Sequence, residues 1–310
     1  METLNSIKNK KKKRNKRKIR DTLIAYAFLS IPIILFSIFF IYGLVRGFIY
    51  SLTDYDLRFV EIRGINFNNF ENYKKIFLDE NVWTGLKVSA IWTFVMLIGN
   101  NGFGLLMAVL IVGRKKGQKA LLAALYWPAL VSAAVGTQIT LYLFRPTGDG
   151  LMNILFANIL NNGEPIAWLQ EESTSLISLM IQPFLLGFST KMLIYYAGLK
   201  GIPKMYYEAA SIETNSRFKI FWKITFPQLA PVLSLNLILS IIDGFKVLAP
   251  MQLVTPGNPY TQSFVYYIYN EAFNKTKIGY ASSLSFFLFA IIMIFTLLQN
   301  IVKKKVDLYE

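Results

Sequence analysis

Apolar positions in this chain come in long blocks, not in the stripe of a surface helix or the alternation of a half-buried strand. Blocks of roughly 20 residues or more match the ~30 Å of hydrocarbon that a helix must cross. The pattern predicts spans over 23–45, 86–112, 120–144, 176–199, 232–248 and 281–302. The fold class expected is therefore an all-α integral membrane protein with six transmembrane helices. Pro128 should kink the third span, with neighbouring helices satisfying the freed backbone groups, and Pro183 should break the fourth. The apolar stretch from Leu151 to Leu160 is too short to cross and reads as a surface helix with Trp168 at the interface.

One polar stretch, 200–230, breaks the pattern between the fourth and fifth spans. Gly201-Ile202-Pro203 supplies a stop and then a proline suited to the first turn of a new helix. Thr214-Asn215-Ser216 offers a turn and an N-cap for a second short helix. The island reads as helix–turn–helix lying across the membrane surface, held at both ends by spans. Such a lever can pass force from an outside partner into the membrane.

Charge decides which side the island faces. Of 33 Lys and Arg, 22 fall in the N-terminal tail, the turn at Arg114, the island and the C-terminus, and seven fall in the three opposite loops. The positive-inside rule then places both termini and the island in the cytoplasm of a multi-pass cell-membrane protein. The organisation expected is a basic tail over 1–21, a membrane domain over 22–305 and a short tail over 306–310. From Lys8 to Arg20, ten residues in thirteen are basic. That run reads as a tail that fixes the N-terminus inside and touches anionic headgroups. It is not read as binding nucleic acid, because it lacks aromatic residues and a span follows at once. The first span is too long for a signal peptide and has no small-residue cleavage pattern.

Cysteine and histidine are both absent. Disulfides, thiolate chemistry, the usual zinc sites and histidine general bases are thereby excluded. No catalytic constellation and no metal site is expected. No glycine-rich phosphate loop is present either, so any ATP and magnesium would be held on another chain.

Polar groups inside a span are costly and so point to function or to helix association. Asn100-Asn101-Gly102 in the second span reads as a tie between helices. Ser240, Asp243, Gly244 and Val247 share one face of the fifth span at i, i+3, i+4 and i+7. Pro183, Leu186, Gly187 and Thr190 share a face of the fourth at the same spacing. Asp243 and Lys246 either pair with each other, sit near the outer interface or meet a solute. Lys191 reads as a side chain reaching for the cytoplasmic boundary.

Glu208-Ala209-Ala210, the turn at Thr214 and the Ile224-Thr225-Phe226-Pro227 ending resemble the EAA loop of ABC-importer permeases. In that family the loop is a coupling helix that docks on a cytoplasmic ATPase. The resemblance implies that Glu208, Ala209, Ala210, Glu213, Thr214 and Pro227 form the coupling element. Thr214 replaces the usual glycine, so a left-handed turn is not expected there. Asn69-Phe70-Glu71-Asn72-Tyr73 with Asp79 and Trp83, the series Gly150, Asn153 and Trp168-Leu169, and the cap Thr255-Pro256-Gly257-Asn258-Pro259-Tyr260-Thr261 resemble the maltose-type sugar branch. Asn258 stands where that cap has its second glycine. The resemblance implies the type I importer fold, five core helices plus an N-terminal one, and a sugar pathway along the two faces named above. It also implies a second homologous permease, an ATPase dimer and a substrate-binding protein as partners. A non-sugar solute remains open, as does, further off, a secondary transporter. A membrane-surface enzyme would have to use Glu208 and Glu213 as its acid–base pair.

Overall fold

The computed structural model describes Ile19 and residues 21–114 and 116–307, without the side chains of Arg63, Ala133 and 302–307. All the basic residues of the N-terminal run, Lys115 and residues 308–310 of the C-terminal tail lie outside the described residues. The remainder is helical, and among the described residues no strand forms beyond one isolated bridge between Thr53 and Phe67.

Among the described residues, five helices are long and apolar enough to cross a membrane: α1 (Asp21–Ser51), α3 (Glu80–Val112), α7 (Glu172–Gly201), α10 with α11 (Ala230–Leu253) and α13 from Ile278. A short α2 (Glu71–Leu78) precedes α3. The helix of α3 begins at Glu80, six residues before the expected 86, because the Asp79 side chain accepts from the Asn81 N–H and caps the first turn. The expected third span is not one kinked helix. Gln118–Leu130 and Ala134–Leu143 meet at 89°, and we label their α-helical parts α4 (Gln118–Tyr126) and α5 (Ala133–Leu143). Pro128 shortens the first piece into a 3-10 turn, and Ser132 caps the second through the Val135 N–H. A proline together with a fresh N-cap makes a break where a proline alone would make a bend. The fifth span is likewise in two pieces, α10 (Ala230–Phe245) and α11 (Ala249–Leu253). A short helix, α6 (Leu151–Leu160), forms over the apolar stretch. In place of the expected break, α7 runs on through Pro183, because one proline inside a long packed helix removes a single hydrogen bond without a new cap after it.

Helix α3 is the central post. It packs along α7 and α10 and against α12 (Phe264–Tyr269), while α1 meets the body mainly where Tyr42–Ser51 lies on α13 (Ile278–Asp307). Three apolar clusters follow α3 from one end to the other. Val82 joins Ile76, Phe264, Tyr267 and Leu284; Trp92 and Met96 join Leu179 and Met251; Ala108 and Ile111 join Met192, Tyr195 and Leu229. Small residues let the posts approach: a Cβ on Gly104 would lie 3.0 Å from the Met192 nitrogen of α7. Where helices are surrounded by lipid, this close packing replaces the hydrophobic drive that water would supply.

Asn101 ties three helices at one point. Its Nδ2 donates to Ser240 Oγ at 2.9 Å, and Tyr195 OH donates to its Oδ1 at 2.8 Å. The reading of this asparagine as a helix tie describes what is seen.

Candidate functional site

The island is built from two short helices and a bend. Ile202 is buried and Pro203 is extended, so the chain leaves α7 and starts α8 (Lys204–Glu213) with Pro203 as its N-cap residue, one position before the first turn. Thr214 ends α8 in an extended conformation, φ −156° and ψ 140°. A left-handed glycine is not needed, as the threonine implied. Thr214 Oγ1 accepts from the Ser216 N–H at 3.2 Å, and Ser216 caps α9 (Arg217–Ile220) through the Lys219 N–H. A π-helical turn, Phe221–Thr225, carries the chain on through half-buried Pro227 to Leu229, which is fully buried under α7. Thr225 Oγ1 donates to Tyr207 OH at 3.3 Å and fastens the end of the island to α8.

The faces of α8 differ. Met205, Glu208, Ala209 and Ile212 follow at i, i+3, i+4 and i+7 and are all exposed, Ile212 at 88%. Ala210 is buried and Tyr207 half-buried on the other side. The structure thus separates the three residues of the triplet: Glu208 and Ala209 look outward, and Ala210 seats the helix on its own body. Glu213 is exposed at the helix end, and neither glutamate has an ion-pair partner among the described residues. An exposed row of methionine, alanine and isoleucine around one free carboxylate is suited to dock on a protein surface bearing a cation.

Pro183, Leu186, Gly187 and Thr190 of α7 come together on a cavity of about 320 Å³, opposite Thr137 and Thr140 of α5. Hydroxyls and the Gln182 amide give this cavity its polar groups. Gly187 also packs on α3, where an added Cβ would fall 2.6 Å from Asn100 Nδ2. A large residue at 187 would therefore disturb the α3–α7 contact, whereas Thr190 opens to the cavity freely.

The four residues of the fifth span are not brought together with those of the fourth. Ser240 bonds Asn101, and a Cβ on Gly244 would lie 2.6 Å from Thr93 Oγ1, so both belong to the α3–α10 contact. The Val247 carbonyl accepts from Ser263 Oγ at 2.7 Å. Asp243 points away from the body, its side chain 73% exposed, and stands 3.8 Å from the Nζ of Lys191, not paired with Lys246. Lys191 is buried between the spans and does not reach for the boundary. Its position beside a carboxylate could not be read from spacing, because the two residues sit on different helices.

At the end of the bundle far from the island, the Thr255–Thr261 cap closes on itself. The two threonine hydroxyls share a hydrogen bond at 2.7 Å, and Gly257 is left-handed at φ 78°. Asn258 Nδ2 donates to the Leu169 carbonyl at 2.9 Å, a bond that a glycine there could not make. Asn153 gathers the neighbouring strap, accepting from Trp168 Nε1 at 2.8 Å and from the Ile166 N–H at 2.9 Å.

Sequence reasoning missed a polar knot at this same end. Asp79 Oδ2 accepts from Tyr267 OH at 2.5 Å and from Tyr280 OH at 2.8 Å. Burial pushes the Asp79 carboxyl up, but these bonds and those from Asn81 outweigh it and hold the group below its ordinary value. Burial and the same bond push the Tyr267 hydroxyl far above its own. Glu271 is buried beside them, 2.5 Å from Lys275 Nζ and 3.9 Å from Lys277 Nζ. The one local signal was the i, i+4 spacing of Glu271 and Lys275.

With this geometry, the likeness to known proteins is specific. The family model for the binding-protein-dependent transport system inner membrane component matches residues 14–308. The chain is 32% identical over 295 residues to the probable ABC transporter permease protein YesP of Bacillus subtilis, covering 93% of this chain and 92% of that one. It is 28% identical over 305 residues to the multiple sugar-binding transport system permease protein MsmF of Streptococcus mutans, covering 94% and 99%. A bacterial ABC transporter involved in the import of the acidic polysaccharide alginate contains a chain of the same fold, with a TM-score of 0.78 at 18% identity, over 94% of this chain and 99% of that one.

Proposed function

Because the chain belongs to the family of binding-protein-dependent transport system inner membrane components, we propose that it forms one half of the pathway of an ATP-driven sugar or oligosaccharide importer. The observation that carries this reading is the outward row of Met205, Glu208, Ala209 and Ile212 on a helix held between α7 and α10. In this reading a cytoplasmic ATPase dimer docks on that row, with a cation against Glu208. ATP and magnesium are held and hydrolysed there, and this chain is not itself an enzyme. Glu208, Ala209, Glu213 and Thr214 act at the docking surface, while Ala210 and Pro227 set the lever on its base.

A second, homologous permease faces the exposed side of Asp243. A carboxylate in the middle of a span is too costly to leave in hydrocarbon, so this face looks into a water-filled lumen shared with the partner. The solute passes along Pro183, Leu186, Gly187 and Thr190 on one wall and Asp243 on the other. The carbohydrate reading is supported by the polar lining of the cavity and by the name that MsmF bears. A substrate-binding protein delivers the solute at the Thr255–Thr261 end, which this reading places outside the cell, with both termini in the cytoplasm.

The test is reconstitution with the candidate ATPase, partner permease and binding protein in liposomes. Glu208→Ala and Ala209→Trp are expected to leave the chain folded in the membrane and to abolish transport-linked ATP hydrolysis. Thr190→Trp is expected to block uptake while ATPase assembly persists. Full substrate-stimulated hydrolysis by both island variants would mean that another surface couples the subunits.

A further inference from the structure

The island has a second half that the coupling reading does not use. Arg217 through Thr225 carries three cations, Arg217, Lys219 and Lys223, all exposed, and no carboxylate. Interleaved with them is an aromatic cluster. Trp222 lies 5.4 Å from Phe221 and 4.9 Å from Phe226 between ring centroids, and Phe218 is 73% exposed. Cations alternating with tryptophan and phenylalanine on a short helical segment are suited to the boundary between headgroups and acyl chains.

Behind this segment runs an apolar groove of about 420 Å³. It is lined by Val109 and Val112 at the end of α3, Leu199 at the end of α7, and Tyr207, Ile220 and Phe221 of the island, with Arg217 as the one charged residue among the described lining. Among the described residues Arg217 has no ion-pair partner, and Arg114 and Lys116 add exposed positive charge just beyond α3. Two features separate the groove from the docking row. Tyr207 stands on the opposite side of α8 from Glu208 and Ala209. Val109, Val112 and Leu199 belong to the last turns of the spanning helices α3 and α7, and the end of a span is the depth at which acyl chains meet headgroups.

From this charge and depth we infer that the groove is a binding site for an anionic phospholipid of the island-side leaflet, with an acyl chain along Val109, Val112 and Leu199 and the phosphate on Arg217. Basic pockets between membrane helices hold anionic headgroups by this chemistry. The inference takes from the proposed function only the idea that the island lies at the membrane surface. A lipid seated there braces the base of α8, so the lever would stand on bilayer charge as well as on protein.

The test uses the purified full-length chain in detergent, with any subunits that co-purify with it. Dioleoylphosphatidylglycerol, dioleoylphosphatidylcholine or glycerol 1-phosphate is titrated in, and bound molecules are counted by native mass spectrometry. Phosphatidylglycerol should bind more tightly than phosphatidylcholine, and chainless glycerol phosphate should not compete. Arg217→Gln should weaken phosphatidylglycerol about fivefold and leave phosphatidylcholine unchanged, with Arg217→Lys retaining most of the difference. Val112→Phe, which fills the groove, should weaken both lipids. An unchanged melting temperature shows that each variant is folded. Equal phosphatidylglycerol affinity in Arg217→Gln and the unaltered protein overturns the site. Competition by glycerol phosphate overturns the lipid in favour of a free anion. A photo-crosslinker at position 221 that captures only the ATPase overturns it in favour of a protein contact. These outcomes are independent of transport, so failure of the lipid site and failure of the permease reading are distinguishable.

Discussion

At the Asp79 end of the bundle three carboxylates have partners within the chain. Asp56 holds Arg58 at 2.6 Å, Glu271 holds Lys275, and Asp79 accepts from two tyrosines. At the island end, Glu208, Glu213, Arg217, Lys219 and Lys223 are exposed with no ion pair among the described residues. Both ends are polar stretches between spans, yet one is closed and the other is open. A closed network adds to the stability of the chain that contains it. An open one adds almost nothing until a second surface arrives, and then it adds to binding. Local charge density therefore does not distinguish a self-paired polar end from an open one; partnering does.

The sharpest way to break this contrast is Asp79→Ala. It removes an N-cap and the acceptor of two hydroxyls, and hydrogen bonds to a charged group are worth about 1.5–3 kcal/mol each. A loss of roughly 3 kcal/mol is expected in detergent-titrated unfolding, against less than ~0.5 kcal/mol for Glu208→Ala. Similar losses in the two variants would erase the distinction between the ends. Glu271→Gln comes next. It leaves Lys275 and Lys277 without their carboxylate, but Lys275 is half-exposed and can turn to water, so about 1–2 kcal/mol is expected from the same measurement.

Ile212→Asp should shift the balance the other way. The chain should unfold within ~0.5 kcal/mol of the unaltered protein, while the fraction of ATPase retained on co-purification falls about tenfold, a change of about 1.4 kcal/mol in docking. Retention unchanged by an aspartate there would remove α8 from the docking surface.

The smallest effect is on pH dependence. The hydrogen bond from Arg58 holds the Asp56 carboxyl down at about 2, and Asp79 is also lowered. A carboxylate depressed in the folded state stabilises it fully above the unfolded value of about 4 and loses that contribution as pH falls towards the folded value. Acidification from pH 5 to 2 should therefore loosen the Asp79 end, and Asp56→Asn should flatten a small part of that slope, since Arg58 is half-exposed and solvent screens the pair. A steeper acid loss in Asp56→Asn than in the unaltered chain would contradict the assignment.

Much of this molecule is legible without coordinates because the bilayer is a strict solvent. A block of apolar residues long enough to cross has few alternatives to a spanning helix, and the spans expected over 86–112 and 176–199 follow from that alone and lie within Glu80–Val112 and Glu172–Gly201. Local chemistry determined as much: Ser216 caps α9, and Thr214 turns the island without a left-handed residue, because these depend on neighbours two or three positions away. The side of α8 that is free, Glu208 and Ala209 but not Ala210, depends on where α7 and α10 deliver the helix, and only the tertiary structure decided it. The same holds for Asp243 facing Lys191, for Ser240 bonding Asn101, and for Asp79 meeting tyrosines 188 and 201 residues away. Those pairings join different helices, and the energy that selects them resides in helix–helix packing, which no periodicity along one helix can encode.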